Sequence, residues 1–120
     1  MPVDPFADRL ARVRHRFVST LERRLDDAYA AIPKLADAAP AAGEAVAEVY
    51  RSMHGMVGIG PTVGFPQTGR AAREVEDVLR SPRQGARGLT AEEVLRFSKR
   101  LDDLRDAAAR ELRSFQSADN

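Results

Sequence analysis

Residues 89–115, LTAEEVLRFSKRLDDLRDAAARELRSF, contain the clearest helix signal in the chain. Thr90 and Glu93 have the spacing of a capping box, in which each side chain hydrogen-bonds a backbone N–H group at the start of a helix. Leu89 and Val94 are placed as the accompanying hydrophobic staple. The apolar stripe that follows comprises Val94, Phe97, Leu101, Leu104, Ala108, Leu112 and Phe115. Its alternation of three and four residues is typical of helices that pack nearly antiparallel in a bundle.

Three further segments each show a single apolar stripe with helical spacing. The first helix is predicted from Asp8 to about Ile32, the second from Pro40 to Ile59, and the third from Pro66 to Arg80. The stripes are Leu10, Val13, Phe17, Leu21, Leu25, Ala28 and Ile32; Val46, Val49, Tyr50, Met53 and Val57; and Thr68, Ala72, Val75 and Leu79. Four helices with one stripe each predict an all-α chain, folded as an antiparallel four-helix bundle in one domain over residues 1–120.

Proline and glycine mark the connections between these helices. Pro33 and Pro40 bracket KLADAA, so the first connection is expected between Ile32 and Pro40. The segment GIGPTVGFP, residues 58–66, holds three glycines and two prolines, which indicates a chain reversal. Residues 81–88, SPRQGARG, are predicted to form a flexible loop, and residues 117–120 a short flexible tail.

The composition argues against several classes of function. The chain has no cysteine, which excludes disulfides, thiol chemistry and zinc ribbons. Nineteen Lys and Arg residues against eighteen Asp and Glu residues leave a net charge of +1, so we expect no nucleic-acid partner. No window approaches the roughly 20 apolar residues of a membrane span, and the N-terminus lacks the apolar run of a signal peptide. A cytoplasmic protein without membrane association is therefore expected.

The two histidines are the side chains best suited to nucleophilic chemistry near neutral pH. His15 lies roughly 130° from the centre of its apolar stripe, between two arginines, and is expected to be an ordinary surface residue. His54 lies roughly 80° from the centre of its stripe, at the boundary between core and solvent. A partner could reach His54 there while the helix holds it in place.

Gly55 and Gly58 follow His54 within a predicted helix, where each glycine costs roughly 0.8 to 1 kcal/mol relative to alanine. Gly58 lies one turn beyond His54 on the same flank, so a side chain there would occupy space beside the histidine. The two glycines are explained equally well by access for a partner and by fraying or close helix contact near the turn.

The pattern around His54 resembles the histidine-containing phosphotransfer family. In this chain the pattern begins with His54-Gly55-Met56-Val57-Gly58 and continues with Gly64, Phe65-Pro66, Thr68, Ala72, Val75 and Glu76. The resemblance implies a phosphorelay intermediate in two-component signalling without autokinase activity. His54 would accept a phosphoryl group from a receiver-domain aspartate and pass it to a second receiver domain. Receiver domains and a hybrid histidine kinase would be the partners.

The resemblance also implies roles for the surroundings of His54. Glu76 would accept the Nδ1 proton of the imidazole and leave Nε2 free for phosphorylation, although a plain surface glutamate is the alternative. The chain itself would need no cofactor, because the receiver domain is expected to bring the Mg²⁺ ion. The residues expected to contact the receiver are Met53, Gly55, Val57, Gly58, Arg51, Arg73 and Arg80.

The chain departs from the family pattern at three positions. Many members of the family carry lysine where this chain has Val57, and Arg80, Arg73 or Arg51 are the candidates to supply the missing positive charge. Pro61 is expected to end the second helix earlier than in relatives and to reshape the turn. Thr68 occupies a position where leucine is common.

Three other functions are alternatives to phosphotransfer. An adaptor that binds receiver or kinase domains without carrying phosphate is suggested by the missing lysine. A dimerisation module is suggested by the regular stripe of the last helix. A metal site is the least favoured, because the two histidines lie on different helices without a cluster of ligands.

Overall fold

The computed structural model describes residues 4–118, and every named element in it is helical. The elements are α1 (Pro5–Leu35), α2 (Ala42–Ile59), a 3₁₀ turn (Pro61–Val63), α3 (Pro66–Gln84) and α4 (Ala91–Ala118). Each helix packs against the next helix in the chain, and α1 also packs against α4. Because the connections are short, consecutive helices run antiparallel. The predicted all-α four-helix bundle is confirmed.

The core lies between the four predicted stripes. All four stripe residues of α3 are fully buried, and so are the central stripe residues of α4, which are Phe97, Leu101, Leu104 and Ala108. On α1, Phe17, Leu21, Leu25 and Ala28 are buried. Val13 is the exception, since it is 38% exposed. It lies near the free end of α1, which has 31 residues against 18 in α2, so less of the bundle covers it.

Helices α1 and α3 are longer than predicted. Each continues through a proline in its last turn, where the prediction had ended the helix. Proline in a helix interior costs about 3 kcal/mol through a lost hydrogen bond and a steric clash. Pro33 is followed by Leu35, which is fully buried, and Pro82 is itself buried, so packing offsets part of this cost. The predicted end of α1 at Ile32 was therefore wrong. The predicted loop over residues 81–88 was wrong for Ser81–Gln84, which are helical.

The helix starts also differ from the predictions. Helix α1 begins at Pro5 rather than Asp8, because the side chain of Asp4 accepts a hydrogen bond from the backbone N–H of Phe6 at 3.0 Å and proline suits the first helical position. Helix α2 begins at Ala42 rather than Pro40, after Ala41 has turned the chain with a φ of 57°. The third helix begins at Pro66, as predicted.

The two connections at one end of the bundle are joined to each other. The N–H of Leu89 donates to the carbonyl of Leu35 at 2.7 Å, and the N–H of Asp37 donates to the carbonyl of Leu89 at 2.9 Å. The predicted capping box follows, with Thr90 and Glu93 bonded reciprocally at 2.9 and 3.1 Å. Arg87 donates to Glu93 at 2.8 Å and is the main cause that lowers the pKa of that carboxyl to about 2. The loop after α3 is thus held by hydrogen bonds rather than free.

The start of α3 is capped by a residue of α4. Phe65 precedes α3 and makes no side-chain cap. The carboxylate of Glu111 instead accepts hydrogen bonds from the backbone N–H groups of Gln67 at 3.1 Å and Thr68 at 2.6 Å, and from the Thr68 hydroxyl at 2.7 Å. A carboxylate at a helix N-terminus is electrostatically favourable. This contact fixes the position of α3 along α4 about two turns before Glu76.

The last helix, α4, extends to Ala118. Residues 117 and 118 of the predicted flexible tail continue α4, residues 119–120 lie outside the described residues, and the flexibility of the tail stays a prediction. Within residues 4–118, no helix combines the length and the apolar character needed to cross a membrane.

Candidate functional site

His54 lies on α2, on the side that faces α3. Its side chain is 69% exposed, whereas Met53 before it and Met56 after it are fully buried. The helix backbone is therefore anchored by the core on one side while the imidazole reaches solvent on the other. His15 is also exposed on α1, as expected for an ordinary surface histidine.

Glu76 of α3 lies directly beside the His54 imidazole. The Nδ1 atom of His54 is 3.0 Å from Oε2 of Glu76, and the Glu76 side chain is only 6% exposed. An ionised carboxylate can only accept hydrogen bonds, so this contact requires Nδ1 to carry the proton. In the neutral ring, Nε2 then holds a free lone pair and points away from the carboxylate. The pair joins a buried acceptor to an accessible nucleophilic nitrogen.

Arg80 holds the other oxygen of the Glu76 carboxylate. Its guanidinium donates to Oε1 of Glu76 at 3.1 Å and forms a second ion pair with Asp77 at 2.9 Å. The pKa of Arg80 is raised above its ordinary value, mainly by the Tyr50 hydroxyl and then by the charge of Asp77. Glu76 thus links His54 to a guanidinium group, with one partner on each oxygen.

Tyr50 and Arg83 extend this arrangement and were not predicted as site residues. The ring of Tyr50 lies one turn before His54, with the two rings inclined by 10° and their centroids 6.0 Å apart. The guanidinium carbon of Arg83 lies 4.5 Å from the centroid of the Tyr50 ring, the geometry of a cation–π contact. The spacing of four residues between Tyr50 and His54 was a usable signal. Arg83 was missed because its segment was predicted to be a loop.

The surface beside His54 is open at Gly58. A side chain built at Gly58 would have no neighbouring atom within 4 Å, and one built at Gly55 would lie 3.6 Å from the guanidinium of Arg24, an ordinary contact. Close helix packing therefore does not explain either glycine. Helix α2 continues past both of them to Ile59, so fraying at Gly55 and Gly58 is not observed.

The remaining residues predicted to contact a receiver are not equivalent. Met53 is fully buried, so its prediction as a docking residue was wrong. Val57 is half-buried against the core, as its helical phase indicated. Arg51 and Arg73 are exposed, and within residues 4–118 neither forms an ion pair. Of the three predicted arginines, Arg80 alone is joined to the His54–Glu76 pair.

The turn after α2 supports the base of the site. Gly60 is buried, and a side chain there would lie 2.8 Å from the carbonyl oxygen of Met56. Pro61 opens the 3₁₀ turn and packs against Gly69 of α3, where an added Cβ would come within 2.8 Å of the proline ring. This tight turn places the end of α2 directly against the start of α3. The register that brings Glu76 opposite His54 depends on it.

The positions of the acidic and histidine side chains also bear on whether they could bind a metal ion together. Within residues 4–118, no three His, Cys, Asp or Glu side chains are grouped so that they could hold a metal ion.

Comparison with protein families identifies the chain. The sequence pattern of the Hpt domain matches residues 12–107, which includes His54, Glu76 and parts of all four helices. The chain belongs to the Hpt domain family. Hpt domains act in the phosphorelays of two-component signalling, where they interact with receiver domains and kinases. Comparisons with curated proteins and with solved structures gave no significant match.

Proposed function

We propose that this Hpt domain carries a phosphoryl group on Nε2 of His54, accepting it from the aspartate of one receiver domain and passing it to the aspartate of another. The observation that supports this most directly is the 3.0 Å contact between exposed His54 and buried Glu76. A histidine held in one tautomer, with the other nitrogen facing solvent, is suited to nucleophilic attack on a partner's phosphoryl group.

The chemistry requires no proton transfer in the forward step. The Nε2 lone pair of His54 attacks the phosphorus of the receiver's aspartyl phosphate, the N–P bond forms, and the P–O bond to aspartate breaks. The electron pair of that bond leaves with the aspartate as a carboxylate. The imidazole, which keeps its Nδ1 proton, gains positive charge as the N–P bond forms. Glu76 stabilises that charge through the Nδ1–H hydrogen bond.

The second transfer reverses these bonds on another receiver. A carboxylate oxygen of the accepting aspartate attacks the phosphorus, and the N–P bond breaks. The electron pair returns to Nε2 and restores the neutral ring. Because the same tautomer serves both directions, Glu76 has to hold the ring in one position throughout. Any Mg²⁺ ion would come with the receiver domain, where it would neutralise the phosphoryl oxygens.

The surface of α2 beside His54 is the proposed receiver contact. Gly55 and Gly58 leave the helix backbone uncovered there, and Arg51 lies one turn before His54 on the exposed side. Val57 contributes the partly buried apolar edge of this surface, while Arg73 and Arg80 contribute positive charge from α3. The aspartyl phosphate that a receiver domain presents is negatively charged, which favours a basic border on its partner.

Phosphotransfer from a panel of phosphorylated receiver domains tests the proposal. We expect labelled, acid-labile phosphate on the wild-type chain and on His15→Gln, and none on His54→Gln. These two variants are matched controls because the chain has two histidines and each variant removes one. Label that persists on His54→Gln would contradict the proposed acceptor.

The same experiment addresses the adaptor alternative, which the valine at position 57 suggests. An adaptor would bind a receiver or kinase domain with measurable affinity yet acquire no phosphate from any donor. Binding measured by calorimetry alongside transfer separates the two functions. Transfer that depends on His54 would exclude the adaptor function for that receiver.

A further inference from the structure

Phosphorylation of His54 would place new negative charge in a region that already holds two acids. A phosphoryl group carries close to two negative charges near neutral pH. Glu76 lies beside the imidazole, and Asp77 follows it on α3 and pairs with the same Arg80. Val57, three residues after His54, packs against the core and supplies no positive charge. The phosphorylated state therefore needs positive charge from another part of the site.

The arginines of α3 are the best-placed source of this charge. Arg80 is joined to Glu76, the carboxylate that binds His54. Arg83 lies over Tyr50, whose ring is nearly parallel to the His54 ring. Both arginines are exposed, so their guanidinium groups can change partners without moving α3. Within residues 4–118, Arg51 and Arg73 form no ion pair with Glu76 and no cation–π contact with Tyr50.

Tyr50 is the residue common to these contacts. Its ring stacks on His54 and packs under the guanidinium group of Arg83. It is half-buried against the core, which fixes the ring more firmly than a fully exposed side chain would be. A planar ring one turn before His54 limits rotation of the imidazole about its side-chain bonds. Glu76 holds the imidazole by one edge and Tyr50 holds it by one face.

We propose that Tyr50 is a positioning residue for His54 and that it holds Arg83 beside the imidazole, where Arg83 and the Glu76-bound Arg80 balance the phosphoryl charge. This inference rests on the proposed function, since it concerns the phosphorylated state of His54. Arg83 lies over the aromatic ring before phosphorylation and turns toward the phosphoryl oxygens afterwards. Arg80 keeps its hydrogen bond to Glu76 and shares its remaining N–H donors with the phosphoryl group.

The experiment compares four variants of the full chain: Arg83→Ala, Tyr50→Leu, Tyr50→Phe and, as a control, Arg96→Ala. Arg96 is an exposed arginine on α4. Phosphorylation is measured with a phosphorylated receiver domain and separately with phosphoramidate, a small donor that needs no docking surface. The ¹⁵N chemical shifts of the His54 ring report its tautomer, which a purely structural role for Tyr50 would leave unchanged once the variant has folded.

We expect Arg83→Ala to slow phosphorylation about fivefold with either donor. The difference in rate between Arg83→Ala and the wild type should be smaller in 1 M salt, because salt screens exposed charges. Tyr50→Leu should slow both reactions at least as much and produce a mixture of His54 tautomers. Tyr50→Phe keeps the ring and should retain one tautomer. Arg96→Ala should match the wild type. A measured unfolding curve identifies any variant that has lost its fold.

Wild-type rates for Arg83→Ala, together with one tautomer in folded Tyr50→Leu, would overturn this inference. If instead the wild-type chain took phosphate from no receiver, the proposed function would fail. The phosphoramidate reaction and the tautomer measurement would still test Tyr50 and Arg83. The two failures are therefore distinguishable.

Discussion

Replacement of Gly58 by alanine should stabilise the protein and, at the same time, weaken phosphotransfer from a receiver domain. Gly58 lies in the last turn of α2, and an added Cβ would meet nothing within 4 Å. Alanine in a helix interior is favoured over glycine by about 0.8 to 1 kcal/mol, and the position near the helix end reduces this to about 0.5 kcal/mol. Gly58→Ala should therefore raise the melting temperature by about 2 °C.

The effect on phosphotransfer should have the opposite sign and grow with side-chain size. A receiver that packs on the bare surface would have to accommodate the new side chain, and overfilling a well-packed contact costs about 1–3 kcal/mol. We expect Gly58→Ala to weaken transfer from a phosphorylated receiver a few fold and Gly58→Leu at least tenfold. Stopped-flow or quench-flow transfer rates give the comparison, and Ser114→Leu, at an exposed position on α4, controls for an added apolar side chain.

Phosphoramidate separates docking from chemistry in this series. The small donor does not use the surface at Gly58, so Gly58→Leu should react with it at the wild-type rate. Receiver-dependent transfer that stays unchanged in Gly58→Leu would refute the inference that this surface is a docking site. An equal loss with both donors would instead show that the new side chain disturbs the His54 imidazole.

Three further predictions concern single side chains. Glu76→Ala should slow phosphotransfer roughly tenfold or more, because the imidazole loses the acceptor that sets its tautomer, while equilibrium unfolding shows that the fold is kept. The pKa of Glu93 is lowered from 4.5 to about 2, chiefly by Arg87, so its contribution to stability is complete above pH 4.5 and lost as the pH falls toward 2. In Glu93→Gln, the free energy of unfolding measured with urea should therefore fall less between pH 4.5 and pH 2 than in the wild type. Burial raises the pKa of Tyr29 from 10.0 to about 12, so stability should fall as the pH rises from 10 toward 12, where the unfolded state ionises first. In Tyr50→Phe, whose remaining tyrosine is Tyr29, phenolate absorbance should show a midpoint near 12, and a midpoint near 10 would contradict the raised pKa of Tyr29.

The sequence by itself determined the features that depend on neighbouring residues. Apolar residues three and four apart specified the buried face of each helix, and the Thr90–Glu93 spacing specified the start of α4. The resemblance to a known family added the expectation that His54 and Glu76 meet. The structure places these two side chains 3.0 Å apart, while the effect of Glu76 on phosphotransfer stays a prediction.

The tertiary structure decided the features that depend on how the helices pack against one another. The prediction that proline ends a helix placed the ends of α1 and α3 too early, because burial around Leu35 and Pro82 offsets the local cost of proline. Met53 was placed on the docking surface although the core encloses it. Arg83 meets Tyr50 only because α3 continues as a helix beyond residue 80 and lies against α2. Local sequence sets the helices and their buried faces, but contacts between side chains of different helices depend on long-range packing, which no local pattern specifies.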